Sequence, residues 1–206
     1  MIEFAAVVIG CYLIGSIPFG LVLGKLRGID VREYGSGKVG STNVLRTLGA
    51  KPAAVALLAD VAKGVIAVLL ARFILGSYLG EMAAGFSAIA GHNWSVFIKF
   101  RGGRGVATSL GVLLTMAPFV ALAGLAIFTL TIFLYRYVSL GSILGALSAA
   151  LVLGGSTASG RAPLEYFIFA VVAAGLIVFQ HQDNISRLLA GKESKLGQKV
   201  EKRQPQ

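Results

Sequence analysis

Charge is scarce in this chain. Only 14% of its 206 residues are Asp, Glu, Lys or Arg, against about a quarter in soluble domains, so much of the surface cannot face water. Cysteine occurs once, at Cys11, which excludes an internal disulfide and a cysteine metal site. The 2 histidines, His92 and His181, lie far apart and the 9 acidic residues are scattered, so no metal cluster is expected. The strict apolar/polar alternation of a membrane β-barrel is missing. So are a Ser-His-Asp hydrolase elbow, an internal repeat and any soluble domain.

Apolar length is abundant: 56% of residues are hydrophobic and the mean hydropathy is +0.80. Residues 4–23, 106–135 and 138–160 carry no charge, 65–79 carries only Arg72, and 163–180 only Glu165. Several of these runs suffice for the roughly 20-residue helix that crosses a hydrocarbon core of about 30 Å. The first run lacks a basic leader, and Gly15-Ser-Ile-Pro-Phe-Gly20 is a poor cleavage site, so it reads as a resident span. The expectation is an all-α polytopic membrane protein of about seven transmembrane helices. They fall near 3–26, 53–74, 78–98, three short crossings within 106–160 broken near Pro118, and 163–181. Residues 1–190 are expected to form one transmembrane domain and 191–206 a basic tail.

The net charge of +10 could suggest nucleic acid, but its distribution argues for topology and excludes that partner. With the N-terminus outside, the lysines and arginines of 25–51, Lys63, the group at 99–104, Arg136 and the tail all fall inside, leaving Arg72 and Arg161 opposite. The positive-inside rule then puts the C-terminus and the polar loops in the cytoplasm, facing anionic lipid.

Three polar islands interrupt the apolar runs. The first, Gly35-Ser-Gly-Lys-Val-Gly-Ser-Thr-Asn-Val-Leu-Arg46, fits neither the dinucleotide fingerprint, which needs a preceding strand, nor the Walker A loop. Its glycines can turn backbone amides into an anion nest, with Ser36, Ser41, Thr42 and Asn43 as donors and Arg46 as a cationic fork. The plainer alternative is a turn with Ser41 or Thr42 as an N-cap. The second island ends in Arg101-Gly-Gly-Arg-Gly105 at a helix start, where bare amides and Arg104 would hold an anion; a basic turn is the alternative. The third, His181-Gln-Asp-Asn184, places a proton-transfer group and an amide one turn apart, or simply caps a helix. Asp60 and Lys63 form a mutual salt bridge or present a lysine to substrate. Ser139 and Ser142 read as caps. Gly20, Gly24 and Gly28, like Gly141 and Gly145, have a spacing that lets helices approach closely.

Together the islands resemble the bacterial acyl-phosphate:glycerol-3-phosphate acyltransferases (the PlsY family). The match covers Gly-Ser-Gly-x-x-Gly-x-Thr-Asn-x-x-Arg, Gly-His followed by Gly-Gly-(basic)-Gly-Val-Ala-Thr, and His-x-x-Asn-Ile-x-Arg-Leu-Leu-x-Gly-x-Glu, in order from Gly15 to Glu193. The resemblance implies a seven-helix enzyme of the bacterial inner membrane with its active site on the cytoplasmic face. It would move a fatty acyl group from acyl phosphate to the sn-1 hydroxyl of glycerol 3-phosphate, giving lysophosphatidic acid and inorganic phosphate. No metal or cofactor is implied; the bilayer and the acyl-phosphate-forming enzyme are the implied partners. By motif position Ser36, His181 and Asn184 are catalytic, and Thr42, Asn43, Arg46, Gly102, Gly103, Arg104, Gly105 and Ser142 bind substrate. Glu193 supports the third motif. Lys38 stands where the family usually has Asn, and Arg104 where it has Lys. The proton acceptor is His181 or the substrate's phosphate. A phosphate transporter is the rival class, and an acyltransferase using acyl-CoA or acyl carrier protein the rival enzyme.

Overall fold

The computed structural model describes residues 1–198 and Lys202. Among them the architecture is all-helical, with a lone extended bridge between Tyr34 and Lys202. The helices are α1 (Ile2–Ser16), α2 (Phe19–Lys25), α3 (Ser41–Leu48), α4 (Ala50–Leu75), α5 (Tyr78–Asn93), α6 (Val106–Met116), α7 (Pro118–Tyr135), α8 (Val138–Ala158), α9 (Leu164–Gln180) and α10 (Gln182–Leu189).

The first expected helix is cut in two. Pro18 lacks an N–H and cannot continue a helix, so α1 stops at Ser16 and α2 starts at Phe19. Lys63 of α4 fills the break, its ammonium donating to Gly15 O at 3.1 Å and Ile17 O at 3.0 Å. It also pairs with Asp60 at 2.7 Å, and both side chains are buried. The pair is thus a salt bridge turned toward the α1–α2 break. Helix α5 ends at Asn93, five residues short of the expected 98. Its last carbonyls are capped from outside: Gly102 N–H donates to Asn93 O and Gly103 N–H to His92 O. The break near Pro118 falls as expected, between Met116 and the first turn of α7.

Four segments are long and apolar enough to cross a membrane: Ile2–Lys25, Ala50–Leu75, Pro118–Tyr135 and Val138–Ala158. A fifth is added if α9 and α10, bent by 61°, count as one. The expected seven are not all of spanning length, because α5 has 16 residues and α6 only 11, about 16 Å of rise for the latter. At the end away from the polar islands, Arg72 of α4 donates to Glu81 of α5 at 2.8 Å and to Thr115 O of α6 at 3.0 Å, and Tyr166 of α9 donates to Glu81 at 2.6 Å.

Glycine sets the helix crossings. A Cβ on Gly64 would overlap Thr108 O, one on Gly111 would overlap Val61 O, and one on Gly91 would overlap Tyr12 O, so backbones touch at the α4–α6 and α1–α5 crossings. Gly124 and Gly145 do the same between α7 and α8, and Gly141 faces Phe128 O nearby. Gly20 and Gly24 instead admit the loop carbonyls of Val39 and Ile29, while Gly28 is a positive-φ turn residue. That spacing therefore serves a loop contact and not a helix pair. Outside, Phe73, Phe119 and Phe133 are more than 80% exposed, as a lipid-facing surface requires.

The expected division at 190 falls inside a docked segment. Glu193 is buried, and Leu196 N–H donates to Arg136 O at 2.7 Å. Of the anticipated tail, 199–201 and 203–206 lie outside the described residues.

The α4–α6 crossing yields a test. Gly111→Val should lower the melting temperature in detergent by about 4–8 °C, the scale of overpacking in a chain of this size. Gly155→Val, which meets nothing within 4 Å, should leave it unchanged. Equal melting of both variants would refute the backbone contact.

Candidate active site

The first island folds around Asn43. Its amide donates to Val31 O at 2.8 Å, Tyr34 O at 3.2 Å and Lys38 O at 2.9 Å, and its oxygen accepts Ser36 N–H at 3.1 Å. Every polar atom of that buried side chain is committed to its own loop, so Asn43 shapes the island. Gly40 is the N-cap of α3, without a side-chain cap bond; Ser41 and Thr42 therefore sit in the first turn and leave backbone amides pointing outward. Ser36, Lys38, Thr42 and Arg46 line one cavity.

In the second island the glycine pair is spent on packing. The Gly102 and Gly103 amides cap α5, both residues are buried, and neither lines the cavity. Their N–H groups already have backbone acceptors within the fold. Arg104, Gly105, Val106 and Ala107 do face the cavity. Gly105 supplies the left-handed turn (φ 80°) that opens α6 without a side-chain cap.

The third island is held by Glu193. Its carboxylate accepts from Asn184 Nδ2 at 2.6 Å, Ser139 Oγ at 2.8 Å and Arg187 Nε at 2.8 Å. Ser139 thereby joins α8 to the third motif instead of capping its helix, and Arg187, which the motif contains, gains a role that spacing alone did not indicate. Ser142 Oγ donates to Val138 O at 2.9 Å and lines the cavity. His181 is buried at the α9–α10 bend, with Nδ1 2.7 Å from Ile177 O. A carbonyl can only accept, so Nδ1 carries a proton; burial lowers the group to about 4, so at neutral pH the ring is uncharged and Nε2 keeps a lone pair.

The cavity has a volume of about 470 Å³. Its mouth gathers Ser36, Lys38, Thr42, Arg46, Arg104, Ser142, His181 and Asn184, and the starts of α3, α6 and α8 open onto it. Its depth is lined by Leu110, Leu113, Leu125, Phe128, Ala149 and Ala174. Helix starts and cations both favour anions, while the deep wall suits an alkyl chain. The Nε–H groups of Arg46 and Arg104 are buried without a protein acceptor, as is Asn184 Oδ1. Burial, opposed by Glu193, pushes Arg104 down to about 10, so it stays cationic at neutral pH. Burial also lowers Lys38 and Arg46. Ser109, a buried cavity hydroxyl without a partner, escaped sequence reasoning because it sits inside an apolar run. Among the described residues no group of His, Cys, Asp and Glu could hold a metal ion.

Burial pushes the Glu193 carboxyl up, but hydrogen bonds from Asn184, Ser139 and Arg187 outweigh it and hold the group below its ordinary 4.5. As pH falls the unfolded chain takes up this proton first, so the stability Glu193 contributes is full above the ordinary value and vanishes through the lower folded one. Glu193→Gln should melt below wild type at pH 7, and the gap should close as pH falls below 4.5. A gap constant down to pH about 3 would remove the charge from this account.

A family model described as glycerol-3-phosphate acyltransferase matches residues 5–191. A glycerol-3-phosphate acyltransferase of Thermoanaerobacter pseudethanolicus is 51% identical over 194 residues, covering 92% of this chain and 94% of that protein. One from Symbiobacterium thermophilum is 44% identical over 203 residues, covering 98% and 100%. The crystal structure of PlsY, an integral membrane glycerol 3-phosphate acyltransferase, in its glycerol 3-phosphate form superposes with a TM-score of 0.87 at 40% identity, covering 94% of this chain and 96% of that one. Its lysophosphatidic acid form gives a TM-score of 0.84 at the same identity, covering 94% and 95%. With a cationic mouth over an apolar interior already on the page, these likenesses mean that the chain belongs to the glycerol-3-phosphate acyltransferase family, an integral membrane acyltransferase of phospholipid synthesis.

Proposed function

We propose that the chain transfers a fatty acyl group from acyl phosphate to the sn-1 hydroxyl of glycerol 3-phosphate, releasing lysophosphatidic acid and inorganic phosphate. The observation that carries this reading is the single cavity whose mouth joins Lys38, Arg46 and Arg104 to His181, and whose depth is apolar. Two phosphates and one alkyl chain have complementary surfaces there. PlsY, its structural neighbour, has been crystallised in glycerol 3-phosphate and lysophosphatidic acid forms, which supports the same acceptor and product here.

In this mechanism Arg46 and Arg104 hold phosphate oxygens, and Ser36 with the amides of the α3 start donates to the developing oxyanion. The glycerol hydroxyl oxygen bonds to the acyl carbon, the carbon–oxygen bond to phosphate breaks, and phosphate leaves with that electron pair. The hydroxyl proton passes to His181 Nε2, or to the departing phosphate itself. Gly102 and Gly103 contribute by placing Arg104; Asn43 does so by placing Ser36; Asn184 and Ser142 line the pocket around the acceptor.

The proposed topology has seven crossings: α1–α2 as one broken span, then α4, α5, α6, α7, α8 and α9. The link of Arg72 to Thr115 O supports counting α6, since it joins the far ends of α4 and α6. An odd count puts the two termini on opposite faces, and the lysine and arginine distribution favours the N-terminus outside, with the C-terminus and the cationic mouth on the cytoplasmic face of the bacterial inner membrane.

Purified protein supplied with glycerol 3-phosphate and, separately, palmitoyl phosphate, palmitoyl-CoA and palmitoyl carrier protein should form lysophosphatidate and release phosphate only with the first. Product from either thioester would overturn the acyl-phosphate donor, and no product from any would overturn the reaction. His181→Gln should lower kcat by about 10²–10⁴, the usual worth of a general base, with the KM for glycerol 3-phosphate little changed. Near-wild-type turnover would make the substrate's phosphate the acceptor.

A further inference from the structure

The glycine pair of the second island is buried and does not line the cavity, yet it immediately precedes Arg104, which does; His92 and Asp60 line the cavity as well. Gly103 lies against the His92 imidazole. A Cβ there would overlap Nε2 and come within 2.9 Å of both Cδ2 and Cε1. Gly102 meets backbone instead: its Cβ would overlap His92 O and come within 2.7 Å of Asn93 O. The imidazole is itself fixed from behind. Its Nδ1 lies 3.1 Å from Lys63 Nζ and 3.5 Å from Asp60 Oδ1, and Lys63 reaches on to Gly15 O and Ile17 O at the α1–α2 break. His92 is 6% exposed, Asp60 and Lys63 2% each.

We infer that His92, braced by Asp60 and Lys63, is a positioning residue: its ring is the surface on which Gly103 rests, and that contact aims Arg104 at the substrate phosphate. The absence of a Cβ at residue 103 is a matter of room for a ring. This rests on the acyltransferase reading above, and extends it by giving the buried cluster and the glycine pair a shared task.

Because His92 also lines the cavity, paired variants are what separate this role from a direct phosphate contact. Gly103→Ala should raise the KM for glycerol 3-phosphate about tenfold or more while kcat changes far less, the mark of a displaced binding group. His92→Asn removes the Nε2 edge that crowds residue 103 and keeps an amide atom where Nδ1 meets Lys63. The pair H92N/G103A should therefore recover most of the KM lost in G103A. H92N/G102A should recover nothing over G102A, because the obstacle there is the backbone carbonyl. In an Arg104→Ala background Gly103→Ala should add no further KM defect, since it acts through that side chain.

Failure of H92N to improve G103A, or equal improvement of G102A and G103A, would overturn the inference. So would a full extra loss on top of Arg104→Ala. Where G103A reduces folded yield, the same pairwise comparison of melting temperatures reads the contact, and absence of recovery refutes it. Calorimetric titration of glycerol 3-phosphate into wild type and variants keeps the two readings apart. Wild-type protein that neither turns over nor binds it overturns the proposed function, whereas an active wild type with non-interacting variants overturns only this inference.

Discussion

Arg46, Arg104 and Arg187 converge on one end of the cavity, and the carboxylate of Glu193 buried among them makes that convergence stable. Like charges in a low dielectric repel strongly, and the guanidinium groups of Arg46 and Arg104 each feel Arg187 as unfavourable and Glu193 as favourable. Only part of the cationic charge is neutralised this way. Arg46 spends one nitrogen on Ser194 O at 3.1 Å, and both Arg46 and Arg104 retain a buried Nε–H without an acceptor. The site is thus poised between cohesion, which one carboxylate supplies, and residual positive potential, which binding an anion needs. Because Glu193 also accepts from Ser139 and Asn184, the electrostatic balance and the placing of α8 and α10 are one constraint.

A second constraint is thickness. The α4–α6 and α1–α5 crossings have backbones in contact at Gly64, Gly111 and Gly91. Such contact gathers dispersion and leaves no room for side chains between the axes. The cavity therefore opens beside these contacts, between Ala53, Ala54 and Leu57 of α4, Leu110 of α6, Leu125 and Phe128 of α7, and the facing sides of α8 and α9. Small residues on one side of α6 and apolar ones on the other convert tight packing in one half of the bundle into a lipid-compatible chamber in the other.

The sequence revealed the cationic residues and hydroxyls because their chemistry is costly beside a membrane and so stands out from apolar runs. Ser36, Thr42, Arg46, Arg104, Ser142, His181 and Asn184 all line the cavity. What it could not reveal is which polar atoms are already spent. Asn43 looks like a donor until its loop contacts are seen, and Gly102 and Gly103 look like a nest until their amides are found capping α5. Residue type tells what an atom could bond; only the fold tells what it does bond. Helix ends were misjudged for the same reason. Nothing local in Trp94-Ser95-Val96 stops α5 at Asn93, whereas the amides of Gly102 and Gly103, nine residues or more along the chain, do. The α1–α2 break was legible in Pro18, but not the lysine that fills it.

The transport alternative fails on the far half of the bundle. A path for phosphate would need polar groups beyond the mouth, since a charge in a low-dielectric passage is prohibitive without them. Below Arg104 and His181 the cavity wall is mostly leucine, phenylalanine and alanine; the polar groups that also line it include Ser109, His92 and the carboxylate of Asp60, which is paired with Lys63 and offers a phosphate no free cation. At the opposite end Arg72, Glu81, Tyr166 and the Thr115 carbonyl are bonded to one another, which ties α4, α5, α6 and α9 together where an exit would lie. An ion pair closed on itself presents little net charge to a passing anion. The gradient from cationic mouth to apolar depth is instead what an amphiphile needs, with its phosphate anchored and its chain still in a hydrocarbon environment. A water-soluble glycerol phosphate then has to reach only the mouth. The reaction is confined to the boundary by the same polarity step that bars transport.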